Sequence, residues 1–422
     1  MTTAPPAEHA AILARRARVL SPTYRLFYEQ PLQLVRAAGV WMYDERGRAY
    51  LDAYNNVPVV GHCHPYVVDA LTRQAQTLNT HTRYLAELPL QLAEELLATM
   101  PGELGNVVFT CTGSEANDLA VRVSKAATGG SGFIVTDFSY HGVTDVLSGM
   151  SPEDGGPLGP GVYAVPSPAG PGGPAAFSEH VRECLERMRA DGVSLAALLV
   201  DTIFSSDGVY ADPKGFLAEA ARHVQAAGGL FIADEVQPGF GRLGETMWGF
   251  QRHGIVPDLV TMGKPMGNGH PVAAVAARPE VFARFARRRH YFNTYGGNSV
   301  SCAAALAVLH VIREEKLLEN ARRTGEHLRR GLLALAARNP AIGEVRGAGL
   351  FLGVEIRPNP ASGLVGAAET RRVVNGMCRR GVLVGSTGRH GDVLKIRSPL
   401  TLERQHADLL LEALEQTLRD KD

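Results

Sequence analysis

The chain has 422 residues, 45% of them apolar and 20% charged, with 43 Lys plus Arg set against 43 Asp plus Glu. That length exceeds one ordinary core and predicts a large domain with a smaller companion, while the even charge balance gives no field for nucleic acid and no argument for a membrane surface. The N-terminus MTTAPPAEHAAILARR has no apolar signal core and no window reaches transmembrane length. Cys63, Cys111, Cys184, Cys302 and Cys378 are scattered without metal spacing, the usage of a reduced cytoplasmic chain.

In chain order, a short helical leader precedes Val40-Trp-Met-Tyr43 and Ala49-Tyr-Leu51, which flank the turn Asp44-Glu-Arg-Gly47 and predict a hairpin. The Gly-His-Cys-His-Pro run at 61–65 invites a metal reading, but neighbouring alternating positions rarely converge on one ion, and a polar turn before a helix is the expectation. Residues 88–100 have helical apolar spacing. Asn106-Val-Val-Phe-Thr110 reads as a strand that runs through Gly113 into a serine-headed amphipathic helix at 114–124, with Ser114 at its start. A strand, a glycine and a helix N-terminus make an anion site, although many helices open this way without a ligand. The strand Gly132–Thr136 leads to Ser139-Tyr140-His141-Gly142, where Tyr140 is either core or an aromatic plate for a planar ligand.

Residues 151–176 hold seven Gly and seven Pro and are expected to form an irregular surface loop. Helix 178–190, strand 195–200, helix 213–227 and strand 229–233 then alternate, which predicts βαβ units and a mostly parallel sheet. Ligands of such sheets sit beyond the C-terminal strand ends, where Gly113, Asp234 and Lys264 all fall. Asp234 closes the run Leu-Phe-Ile-Ala, so this acid needs a partner: a helix N-terminus, Arg242, or a protonated ring nitrogen. Lys264 follows another apolar run and stands among Gly263, Gly267 and Gly269. A lysine drawn partly out of water is a ready neutral amine. An acid, an aromatic plate, an anion cup and a lysine on successive strand ends match the four needs of pyridoxal 5′-phosphate. Downstream come helices 299–315 and 317–338, a strand 349–356, helix 366–380, strands 382–384 and 393–397, and a terminal helix 402–418.

Thr-Gly-Ser-Glu-Ala-Asn at 112–117, Tyr-His-Gly at 140–142, Ala-Asp-Glu-Val-Gln at 233–237, Gly-Lys-Pro-Met-Gly-Asn-Gly at 263–269 and Phe-Asn-Thr-Tyr-Gly-Gly-Asn at 292–298 resemble the class III aminotransferase family, in order and spacing, from about residue 25 onward. The resemblance implies an α/β protein of PLP fold type I: a large domain with a mostly parallel central sheet flanked by helices, and a small α+β C-terminal domain. The expected division is an N-terminal segment 1–60, a large domain 61–300 and a small domain 301–422. By the same resemblance Lys264 binds the cofactor aldehyde, Asp234 pairs with the ring nitrogen, Gln237 meets the ring hydroxyl, and Val236 and Tyr140 pack on the two ring faces. Gly113 and Ser114 hold the phosphate, joined by Thr294 from a neighbouring subunit, which implies a homodimer with shared sites.

Two fates share this machinery, transamination and elimination of a leaving group. The stretches LNTHTRYLAE, TMGKPMGNGHP and VLVGSTGRHGDVLKIRSPL look closer to the ethanolamine-phosphate phospho-lyases, which act on a small amine. Arg25 and Arg83 are then candidates for a substrate phosphate, each with an alternative as a surface or interface ion pair. Arg397 retains the arginine that aminotransferases use for a substrate carboxylate, while Asp201–Gly208 replaces the family's Glu-Pro stretch.

Overall fold

The computed structural model describes residues 7–358, 363, 364 and 366–420. Its centre is a seven-stranded sheet in the order Asn106–Thr110, Ala273–Ala277, Leu259–Met262, Leu230–Asp234, Leu195–Asp201, Gly132–Thr136, Val162–Val165. Leu195–Asp201 and Leu230–Asp234 are unbroken apolar runs until their acids, as a parallel sheet covered on both faces requires. Only Ala273–Ala277 runs antiparallel to its two neighbours. The C-terminal ends of the other strands therefore gather at one edge. Register aligns Asp201 with Asp234 and Asp234 with Thr261, so side chains from three strands meet there.

The helix Gly113–Thr128 lies on this sheet and packs against the alanine-rich Ala273–Ala277, whose small side chains admit a close approach. The cap differs from the serine-headed helix expected: Thr112 is the N-cap, its Oγ1 accepting from Glu115 N at 3.1 Å, and Ser114 sits inside the first turn. Gly129 ends the helix in the left-handed region.

Residues 151–176 are more ordered than the glycine and proline count suggests. They carry the edge strand Val162–Val165 and the start of the helix Gly173–Ala190. The helix expected over 213–227 is shorter, Ala218–Ala226. The strand expected over 349–356 is Phe351–Ile356, and it forms a hairpin with Ile342–Ala348.

Two smaller sheets complete the fold. Leu34–Ala38, Trp41–Asp44 and Ala49–Asp52 pair with the C-terminal strand Val382–Leu383, joining the two ends of the chain. The other sheet is Ile342–Ala348, Phe351–Ile356, Val393–Ile396, Gly385–Thr387, all antiparallel. The helix Ser299–Glu314 packs on Pro65–Thr77 and Glu87–Leu97, while Leu317–Ala336 packs on the terminal helix Arg404–Arg419. No helix among the described residues is long and apolar enough to cross a membrane.

Candidate active site

A cavity of about 360 Å³ opens at the gathered strand ends. Gly113, Ser114, Tyr140, Asp234, Val236, Gln237 and Lys264 all line it, and Asp201 joins them. A larger open cleft of about 840 Å³ between Glu315–Arg323 and Thr401–Asp408 shows no such convergence of strand ends, and its walls are ordinary surface side chains.

Asp234 is buried, and its partners are neither a helix N-terminus nor Arg242. Its Oδ2 accepts from Asn117 Nδ2 at 2.9 Å and lies 2.8 Å from His141 Nδ1, while Oδ1 accepts from Val236 N at 3.1 Å. Asn117 is fixed in turn by Thr261 Oγ1, which donates to its Oδ1 at 2.6 Å. These donors hold a carboxylate in place at the cavity wall without consuming it in an ion pair with lysine or arginine. Arg242 instead donates to the carbonyls of Leu350 and Ser398, and burial beside Arg397 pushes its pKa down to about 9.

Lys264 stands two residues past Leu259–Met262 and makes no ion pair among the described residues. Its side chain is exposed within the cavity. Desolvation, and then the charge of Arg397, hold its pKa below the ordinary lysine value. Glycine is required on both sides of this lysine's strand end. A Cβ on Gly113 would come within 2.9 Å of both Val236 methyls, and one on Gly263 within 3.2 Å of Gly113 N. The first-turn N–H groups of Gly113–Thr128 thus reach the cavity floor unscreened. Ser114 Oγ, accepting from Val143 N at 3.2 Å, is locked beside them.

Arg397 is buried just outside the cavity. Its Nη1 donates to Gln237 Oε1 and its Nε to Tyr54 O at 3.1 Å. Arg25, Arg83 and Thr294 are exposed and do not line the cavity of their own chain; Arg83 lies over the Phe292 ring at 3.8 Å. His62 and His64 point to different carboxylates, Asp52 at 2.7 Å and Glu315 at 3.0 Å. Asn117 and His141 also line the cavity and stand inside the motifs quoted above, but no local pattern in the sequence marks them as partners of an acid so far along the chain.

The model of the class-III aminotransferases matches residues 27–418. The chain belongs to the class-III aminotransferase family. An alanine–glyoxylate aminotransferase 2-like protein of Drosophila melanogaster is 39% identical over 407 residues, covering 92% of this chain and 82% of that one. An ethanolamine-phosphate phospho-lyase homolog of Caenorhabditis elegans is 34% identical over 444 residues, covering 96% and 93%. Among solved structures, a phospholyase from Arthrobacter in complex with phosphoethanolamine superposes with a TM-score of 0.90 at 43% identity, covering 96% and 99% of the two chains. Class-III enzymes depend on pyridoxal 5′-phosphate. The residues here fit that group: a lysine amine with no ion pair among the described residues, a carboxylate held by Asn117, His141 and a backbone N–H, and a helix N-terminus cleared by glycine meet in one cavity.

Proposed function

We propose that this class-III enzyme is a phospho-lyase that converts O-phosphoethanolamine and water to acetaldehyde, ammonia and inorganic phosphate. The observation that carries this reading is the likeness to the Arthrobacter phospholyase over nearly the whole of both chains, at 43% identity. When bound, pyridoxal phosphate supplies an aldehyde for the amine and a ring that accepts electrons released by proton removal.

The chain's residues do the rest. Lys264 would hold the cofactor through its aldehyde, and its amine, with a pKa lowered by burial, would be the base that takes the proton from the substrate carbon bearing nitrogen. Asp234, fixed by Asn117 and His141, would meet the ring nitrogen and favour its protonated form. The Gly113–Thr128 N-terminus and Ser114 would hold the cofactor phosphate, Val236 and Tyr140 would bracket the ring, and Gln237 would meet its hydroxyl. Departure of phosphate from the adjacent carbon needs no amino acceptor, and water then releases acetaldehyde and ammonia.

The enzyme in this reading is a homodimer, in which the exposed Thr294 reaches the partner's cofactor phosphate and Arg25 and Arg83 face the mouth of a completed site. A second reading, transfer of an amino group from an amino acid to a keto acid, draws on Arg397, a buried guanidinium beside the cavity suited to a carboxylate. Incubation of the holoenzyme with O-phosphoethanolamine alone separates the two. Equal release of phosphate and acetaldehyde without a keto acid is expected. Turnover only with alanine and glyoxylate together would replace the lyase with an aminotransferase.

A further inference from the structure

Two residues before Arg397, on the same face of the strand, stands a second buried cation that the chemistry above does not use. Lys395 is 7% exposed, and among the described residues its side chain has one hydrogen bond, from Nζ to Thr387 Oγ1 at 3.5 Å. Among the described residues no carboxylate lies within ion-pair distance of Lys395 or of Arg397. Both heads face one ring, with Lys395 Nζ at 5.8 Å and Arg397 Cζ at 5.6 Å from the Phe351 centroid.

The space for this lysine is built by glycine. The cross-strand neighbours of Lys395 are Gly353 and Gly385, whose side-chain directions share its face of the sheet. A Cβ on Gly353 would come within 3.0 Å of Gly208 O, and one on Gly385 within 2.4 Å of Tyr54 Cε2. Lys395 is therefore held between Tyr54, which also receives Arg397, and the 201–208 loop. Thr387 Oγ1 donates to the carbonyls of Ser205 and Ser206, which places the ammonium under the turn that begins at the cavity residue Asp201.

We propose that Lys395 and Arg397 form a paired-cation anchor that selects a dianionic phosphate over a carboxylate on the substrate side of this cavity. The proposal rests on the phospho-lyase reading and names the residue that sets its specificity. A substrate carboxylate carries one charge and is matched by one guanidinium fork; a phosphate monoester near neutral pH carries ~1.5 to 2. Burying an additional ammonium without a carboxylate is costly unless an anion arrives to compensate it. The charged groups around Lys395 are Arg397 just past the end of its strand, Lys264, Asp201 and Glu153; burial first, then Arg397, push its pKa down to about 7. Lys395 does not line the cavity, so it acts as a charge behind the wall, while Arg397, adjoining Gln237, lies nearer the ligand.

The experiment uses holoenzyme, in which the cofactor occupies its own phosphate cup, and two small probes, sulfate (a dianion that does not titrate near neutrality) and acetate. Calorimetry on the parent is expected to show tighter binding of sulfate than of acetate. Lys395→Met is expected to weaken sulfate roughly tenfold or more and acetate little, to raise KM for O-phosphoethanolamine with a smaller change in kcat, and Lys395→Arg to restore both. Unchanged sulfate affinity in a folded Lys395→Met protein overturns the anchor. Should that variant not fold, the parent decides: sulfate affinity must fall with rising pH through neutrality more steeply than acetate affinity, and equal slopes overturn the proposal. A parent that binds sulfate through Lys395 but releases no phosphate from O-phosphoethanolamine would sink the lyase reading and leave the anchor standing.

Discussion

In the proposed reaction Lys264 carries the heaviest load of any single residue, because nucleophile and base are one amine. Lys264→Ala is expected to lower turnover at least about a thousandfold and to abolish covalent fixation of the cofactor by borohydride, read by intact mass. A variant that retains either would remove Lys264 from the reaction. Asp207 makes a different prediction. It is buried, its Oδ1 has no partner, and its Oδ2 lies 3.3 Å from Thr136 Oγ1. Burial, aided by the charges of Asp137 and Asp201, pushes its pKa from 3.8 to about 7. The folded state thus holds this proton more tightly than the unfolded state, and stability falls as pH rises between those values and levels above them. Asp207→Asn removes that slope. Relative to the parent, the variant should gain on the order of 2 to 4 kcal/mol between pH 4 and pH 7. Thermal unfolding of both proteins across that range tests it, and parallel curves would show that Asp207 ionises freely.

At the scale of elements, the helix Gly113–Thr128 and the strand ends beside it make the proposed cofactor cup, where a Cβ on Gly113 would come within 2.9 Å of Val236. Gly113→Ala forces a methyl into space already filled, an overpacking of typically ~1 to 3 kcal/mol. Affinity for pyridoxal phosphate should fall roughly 10- to 100-fold, measured by cofactor titration, with little change in secondary structure. Normal affinity would mean that Val236 moves aside freely. Elements of this kind were legible in the sequence because a buried strand writes itself as an apolar run, and a glycine, acid or lysine that ends the run is conspicuous. Ala273–Ala277 was not legible: Ala-Ala-Val-Ala-Ala has no strand preference, and its extended form comes from the slot between two neighbouring strands. Val162–Val165 was hidden by the glycines and prolines around it. The partners of Asp234 were hidden by distance along the chain, 117 residues for Asn117 and 93 for His141. Lys395 left a faint trace, a single lysine in Val-Leu-Lys-Ile, but its burial follows only from the two glycines across the sheet.

On the whole molecule, Tyr84, Leu85, Phe292 and Tyr295 are exposed near Thr294, with His81 stacked on Tyr84 at 5.1 Å. Leu85 is fully exposed, at 105%. Apolar side chains grouped on one face suit contact with a second copy, and the proposed homodimer predicts a dimeric mass by sedimentation. Leu85→Asp should shift that equilibrium toward monomer and lower activity about tenfold or more at dilute enzyme, where the sites lose the partner's Thr294. A parent that sediments as an active monomer would refute the shared site.

The hydrogen bond from Arg397 to Tyr54 spans 343 positions of sequence, and the strand Val382–Leu383 lies beside Ala49–Asp52. During synthesis the cofactor half, 113 to 264, leaves the ribosome well before the residues that finish the substrate wall. Tyr54 emerges early and waits for nearly the whole chain. A product cut short before residue 382 would keep the strand ends that grip the cofactor but lack both Lys395 and Arg397. Such a fragment has the parts to hold an amine and none of the charge that chooses which amine, so quality control of nascent chains matters here for fidelity as well as for folding.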